Sequence, residues 1–277
     1  MPVANLSADV ARFLAEDIGS GDLTASIIPP SRQAQATVIS RETTVVCGQP
    51  WFNEVFKQLD AAVQINWHCQ EGQQVAANSV LCNISGPAPA LLTGERTALN
   101  LLQTLSATAS VARHYAQAVA GTHCQVLDTR KTIPGLRLAQ KYAVKCGGGV
   151  NHRIGLFDAI LIKENHIAAA GSIALAVQQA RQTTQVLVEV EVETLDEFQQ
   201  ALAAQADRIM LDNFSLSAMQ EAVRINQGQA ELEASGDITL ANIRAVAETG
   251  IDFISIGAIT KHVTAVDLSM RITLVDG

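Results

Sequence analysis

From Gln125 onward the chain repeats one unit, a short apolar or β-branched run followed by a helical pattern. The runs occupy 125–127, 159–162, 186–190, 209–211, 232–234 and 253–256. The helical stretches between them occupy 136–145, 173–181, 195–204, 217–225 and 243–248. Strands joined through helices run parallel, because a helical crossover returns the chain to the same end of the sheet. Six such units predict an α/β barrel, open or incomplete, in preference to a doubly wound sheet. A dinucleotide-type sheet would carry G-x-G-x-x-G after its first strand, and that fingerprint is missing here.

Before Gly121 the pattern is mixed. Ser7 is placed to cap a helix with Val10, Phe13 and Leu14 on one face, stopping near Gly19. Residues 36–47, 63–68 and 80–85 read as strands. Pro50 opens a short helix over 51–59, where its missing N–H costs nothing. Residues 90–119 read as one long helix or two, ended by Gly121. The expected division is a first domain over 1–120 and a barrel over 121–264. The tail 265–277 has no following helix and is expected to return to the first domain.

Composition removes several functions. With 19 Lys+Arg against 27 Asp+Glu the net charge is −8, which argues against broad binding of nucleic acid or anionic membranes. Every apolar stretch is interrupted short of spanning length, and the first 17 residues lack a secretory pattern. Cys47, Cys69, Cys82, Cys124 and Cys146 are odd in number and scattered, which fits reduced thiols in the cytoplasm better than a disulfide framework or a zinc cluster.

The residues just after each run carry the chemistry. They are Asp128-Thr129-Arg130-Lys131, Lys163-Glu164-Asn165, Glu191, Asp212-Asn213, Ser235-Gly236 and Gly257-Ala258. In a βα barrel these positions ring the C-terminal mouth, where active sites form. Arg130, Lys131, Arg153 and Lys163 bring cations suited to carboxylate or phosphate oxygens. Residues 128–164 carry seven cations against three acids, within a chain that is acidic overall. The competing explanation is internal ion pairing with Asp128, Asp158 or Glu164. Glu191 and Asp212 are hard oxygen donors on neighbouring strand ends and suit Mg²⁺ shared with substrate phosphates, against a plainer role as partners of Lys131 or Lys163. Ser235-Gly236 and Gly257-Ala258 let backbone N–H groups approach a phosphate, although for an isolated Ser-Gly ordinary turn chemistry is the better explanation. His152 stands beside Arg153 and His166 follows Asn165, each open to a structural or a functional role.

Asp128-Thr129-Arg130-Lys131-Thr132, Gly149-Val150-Asn151-His152-Arg153 and Leu161-Ile162-Lys163-Glu164-Asn165-His166 together resemble the quinolinate phosphoribosyltransferase family. Glu16-Asp17-Ile18-Gly19-Ser20-Gly21-Asp22-Leu23-Thr24, Gly94-Glu95-Arg96-Thr97, Leu211-Asp212-Asn213-Phe214 and Ser255-Ile256-Gly257-Ala258 extend the likeness over essentially the whole chain. The resemblance implies an N-terminal α/β sandwich, a C-terminal open α/β barrel, and a homodimer with the active site shared across its interface. The implied reaction transfers ribose 5-phosphate from phosphoribosyl pyrophosphate to quinolinate with Mg²⁺. It yields nicotinate mononucleotide, CO₂ and pyrophosphate in NAD biosynthesis. By the resemblance, Arg130, His152, Arg153 and Lys163 hold the dicarboxylate, with Arg96 entering from the neighbouring subunit. Lys131, with Mg²⁺ on Glu191 and Asp212, serves the pyrophosphate and ribose, and Thr129 joins the substrate-binding set. Ser235, Gly236, Gly257 and Ala258 hold the 5-phosphate. Lys131, Lys163, Glu191 and Asp212 form the implied catalytic set. Asp237 departs from the Gly or Asn often found in the family at that position. Three other readings compete: a paralogue associated with molybdenum transport, a barrel enzyme forming a Schiff base on Lys163, and an anion-binding module without turnover.

Overall fold

The computed structural model describes residues 5–275. In chain order the elements are α1 Leu6–Ile18, β1 Gln33–Ser40, β2 Thr44–Val45, α2 Gln49–Leu59, β3 Gln64–Trp67, β4 Gln74–Val75, β5 Val80–Pro87 and α3 Ala88–Ala118. There follow β6 Gln125–Leu127, α4 Arg137–Cys146, β7 Ile160–Ile162, α5 Glu164–Ala170, α6 Ile173–Thr183, β8 Val188–Val192, α7 Leu195–Ala203 and β9 Arg208–Asp212. The last are α8 Leu216–Asn226, β10 Glu231–Ser235, α9 Ile243–Ala247, β11 Phe253–Ser255, α10 Ala258–Lys261 and β12 Leu268–Leu274. The described residues form two compact units, one of 5–113, 133–147 and 262–275, the other of 114–132 and 148–261. The expected division differs in three respects: 114–120 group with the second unit, 262–264 group with the first, and segment 133–147, anticipated inside the barrel, also groups with the first. The reason is the apolar face of α4. Ala139 and Ala143 join the first unit's core, and Tyr142 packs edge-on against Trp51 at 5.2 Å.

The first unit is built on an antiparallel sheet in the order β12-β1-β5-β3. Strand β1 alternates strictly, burying Ala34, Ala36, Val38 and Ser40, so one face of the pleat meets the core. Trp51, Phe52, Val55 and Phe56 of α2 cover that core together with Leu91, Leu99 and Leu102 of α3. Gly94 lets α2 and α3 approach, because a Cβ there would lie 2.7 Å from Phe56 and 2.8 Å from Leu59. The tail strand β12 pairs along β1, from Ala34↔Leu274 to Ser40↔Leu268. Two local expectations change. Helix α1 starts after Asn5 with no side-chain cap, and Ser7 lies inside the helix. Residues 88–118 form one continuous helix.

The second unit is a parallel sheet in the order β6-β11-β10-β9-β8-β7. Each strand from β7 to β11 lies beside its successor, and β11 returns beside β6. That cyclic order belongs to a barrel; a doubly wound sheet would reverse from its middle. Strands β6 and β7 are the two edges of the sheet, so the barrel is open between them. Ser172, Thr194 and Ser215 start α6, α7 and α8 by accepting from the N–H of Leu175, Glu197 and Ala218. On β8, Val188, Val190 and Val192 are buried on the face covered by helices, leaving Glu189 and Glu191 on the opposite face. The register extends this polar face: Glu189 sits across from Arg208, Arg208 from Glu231, Met210 from Glu233, and Asp212 from Ser235. Ordinary barrel interiors are filled by branched apolar side chains. This one is lined by charge.

Candidate active site

A cavity of about 170 Å³ opens among the strand ends of the second unit. Its lining includes Thr129, Arg130, Lys131, Arg153, Lys163 and Glu191, with His152, Glu233, Ser235 and Ser255 beside them. Most of the candidates chosen from the sequence thus share one space. Asp212, Gly236, Gly257 and Ala258 lie at the ends of β9, β10 and β11. Arg96 is an exposed residue of α3, in the first unit.

The loop after β6 and the loop before β7 are held by carboxylates rather than by the cations. Asp128 is wholly buried and accepts from Asn151 Nδ2 at 2.6 Å and from the His152 N–H at 2.9 Å. Asp158 accepts from the N–H groups of Ile154 and Gly155 at 2.7 and 2.9 Å, which closes the turn that follows Arg153. Both acids were candidates for neutralising the nearby cations, and both bind these backbone N–H groups. Arg153 donates to the Ala159 carbonyl at 3.4 Å. Burial, then the charge of Arg130, pulls its guanidinium below the usual arginine range. Two guanidinium groups brought together in a half-buried site favour an anion between them. Lys163 pairs with Glu191, and His166 Nδ1 accepts from the Lys163 N–H at 3.0 Å, a local tie at the start of α5.

Around the ends of β9 and β10 the backbone is tight. Gly236 has φ +97°, and a Cβ there would sit 2.0 Å from Asn213 Oδ1, so only glycine fits. Asn213 and Asp237 also adopt positive φ, at 57° and 39°. Asn213 Nδ2 donates to Asp212 at 3.0 Å. Gly257 stands against Lys131, where a Cβ would come within 3.0 Å of the lysine Cδ.

Below the cations lies a cluster that the sequence reading missed. His152 Nε2 is 2.9 Å from Glu189 and 3.4 Å from Glu233, both carboxylates being wholly buried. Arg208 lies 3.5 Å from Glu233, pairs with Glu231 at 2.7 Å, and stacks 4.2 Å over Phe253. Burial opposes protonation of the imidazole, while its contacts with Glu189 and Glu233 favour it. Burial and the charge of Glu233 push Glu189 up to about 7. Burial also raises Glu233, yet the contact with His152 keeps it below the usual carboxylate range. The available sequence signal was Val-Glu-Val-Glu-Val over 188–192 and Glu-Leu-Glu-Ala-Ser over 231–235. A carboxylate two residues before a strand end shares the face of that end residue.

Comparison with known proteins agrees with this architecture. The profile of the quinolinate phosphoribosyl transferase N-terminal domain matches residues 22–106, and that of the C-terminal domain matches 108–271. A Synechocystis protein named probable nicotinate-nucleotide pyrophosphorylase (carboxylating) is 45% identical, covering 94% of this chain and 90% of its own. A Bacillus subtilis protein of the same name is 42% identical, with coverage of 95% and 91%. The solved nicotinate-nucleotide pyrophosphorylase of Francisella tularensis is 50% identical and superimposes with a TM-score of 0.94 over 99% of this chain and 98% of that one. With both domain profiles matched in sequence and this barrel in place, the chain belongs to the quinolinate phosphoribosyltransferase family.

Proposed function

We propose that the chain joins quinolinate to phosphoribosyl pyrophosphate and decarboxylates the product, giving nicotinate mononucleotide, CO₂ and pyrophosphate for NAD biosynthesis. The observation that carries this reading is the convergence of Arg130, Lys131, Arg153 and Lys163 on one cavity at the C-terminal ends of parallel strands. Quinolinate brings two carboxylates and the donor several phosphate charges, so both substrates need such a lining. Arg130, Arg153 and Lys163 take the dicarboxylate, joined by Arg96 of a second copy in a homodimer. Lys131 and Thr129 take the pyrophosphate and ribose. Ser235, Gly236, Gly257 and Ala258 receive the 5-phosphate, where the glycine backbone allows close approach. The Lys163–Glu191 ion pair favours a charge-binding role for this lysine over a Schiff base.

Glu191 and Asp212 lie on one face of adjacent strands, since Glu191 is in register with Met210 and Asp212 follows two residues later. Such a donor pair fits Mg²⁺, which takes one or two carboxylates and completes its shell with water and substrate phosphates. The ion would neutralise charge on the departing pyrophosphate. The residues hold the pyridine nitrogen in line with ribose C1; the C–N bond forms as the C1–O bond to pyrophosphate breaks. The adjacent carboxylate then leaves as CO₂, its electron pair held on the ring carbon beside the new pyridinium nitrogen until a proton replaces it. The five free cysteines support a reducing, cytoplasmic setting. Among the described residues no helix is long and apolar enough to cross a membrane.

Carboxyl-labelled quinolinate tests the assignment. Labelled CO₂ is expected only when phosphoribosyl pyrophosphate and Mg²⁺ are both present. No release at saturating substrate would overturn it.

A further inference from the structure

His152 was expected to hold the substrate directly, yet its ring nitrogens are directed at the protein. Nε2 faces the buried carboxylates of Glu189 and Glu233 at 2.9 and 3.4 Å. Nδ1 accepts the backbone N–H of Arg153 at 2.8 Å. The ring is nearly buried, with its side chain 8% exposed, and its own backbone N–H is fixed on Asp128. We infer that His152 is a positioning residue: the Glu189–Glu233 pair anchors Nε2, Nδ1 holds the Arg153 backbone, and the ring thereby sets where the Arg153 guanidinium is presented. This rests on the reading that the Arg130–Arg153 cavity receives the dicarboxylate.

The charged groups around the ring are Glu189 from β8, Glu233 from β10, Arg208 from β9 behind Glu233, Asp128 and Arg130 after β6, and Arg153 on the same loop. The two carboxylates favour a doubly protonated imidazole. The Arg153 contact opposes it, because a proton on Nδ1 would point at another N–H donor across 2.8 Å. The short contact decides for a bare Nδ1 and a proton on Nε2. In that tautomer the ring has no N–H left to offer a carboxylate. Burying two acids is costly unless something faces them. Here they meet the ring on one side, and Arg208 meets Glu233 on the other.

The test combines a mutant cycle with spectroscopy of the intact enzyme. Calorimetric titration of quinolinate should show His152→Ala losing affinity about tenfold, the loss coming through Arg153. His152→Asn, whose short side chain can still accept a neighbouring backbone N–H, should stay within about threefold of wild type. The double variant His152→Ala/Arg153→Ala should be no weaker than Arg153→Ala alone, since residues acting through one another are not additive. Additive losses, or equal losses in the Asn and Ala variants, would overturn the proposal by making the ring an independent ligand. Nitrogen-15 NMR of the substrate-free wild type at neutral pH supplies a reading that needs no variant to fold. One protonated and one bare ring nitrogen are expected for His152, and two protonated nitrogens would overturn it. If the wild type neither binds quinolinate nor releases CO₂, the functional reading fails, and the ring's nitrogen state still decides the positioning role.

Discussion

Arg153 shows how single residues become a site. It is displaced from strand β7 by the turn that Asp158 closes, and its guanidinium lies near that of Arg130. Without an anion the two cations repel in a half-buried space, so a dicarboxylate gains from both the attraction and the relieved repulsion. Arg153→Ala is expected to weaken quinolinate binding by roughly tenfold to a hundredfold, the range for a hydrogen bond to a charged group, and to leave phosphoribosyl pyrophosphate within about threefold. Separate titrations with each ligand check this; equal losses would show that Arg153 is not assigned to the dicarboxylate. The cations were legible in the sequence because strand ends are marked by the rhythm itself. The acids beneath them were not. Nothing in Val-Glu-Val-Glu-Val states that both faces are covered, and only burial separates Glu189 from a solvated glutamate. Asp22 is a similar case within the Gly-Asp-Leu-Thr motif. It accepts from the N–H groups of Thr24 and Ala25 and from the Thr93 hydroxyl, a structural task for a conspicuous acid.

At the scale of elements the six parallel strands were readable, because apolar runs bounded by helical patterns leave few alternatives. Their ends moved by one or two residues, as at β8, where polar Glu191 and apolar Val192 extend the run. The destination of α4 was not readable. Its sequence position lies between β6 and β7, yet its small apolar face packs with Trp51 and the first unit's core. Linear order cannot announce that a crossover helix leaves its sheet. The Gly94-Glu95-Arg96-Thr97 motif divides in the same way. Arg96 was chosen through the family resemblance, whereas Gly94 serves the packing of α2 on α3. Gly94→Val is expected to destabilise the protein by about 2–3 kcal/mol, since the added methyls meet Phe56 and Leu59 in a filled core and outweigh the few tenths of a kcal/mol of helix propensity gained over glycine. A lowered urea midpoint with the barrel's far-UV signature retained is the expected result. An unchanged midpoint would mean that the two helices separate at no cost.

For the whole molecule, net charge bounds partners only after it is divided by position. The chain carries −8 overall, while four cations share the cavity. Three other cations of the 128–164 surplus, Arg137, Lys141 and Lys145, belong to α4 in the first unit. The proposed homodimer supplies a further one through Arg96, an exposed residue in this chain. If each site takes Lys163 from one subunit and Arg96 from its partner, Arg96→Ala and Lys163→Ala are inactive separately and complementary together. A hybrid dimer then has one site with both residues intact and one with neither. Random mixing of equal amounts makes half of the dimers hybrid, so about a quarter of wild-type activity should return. Native mass spectrometry would verify subunit exchange, and labelled CO₂ release would report activity. Exchange without recovery would place Arg96 in the service of its own chain and remove the shared site from the proposal.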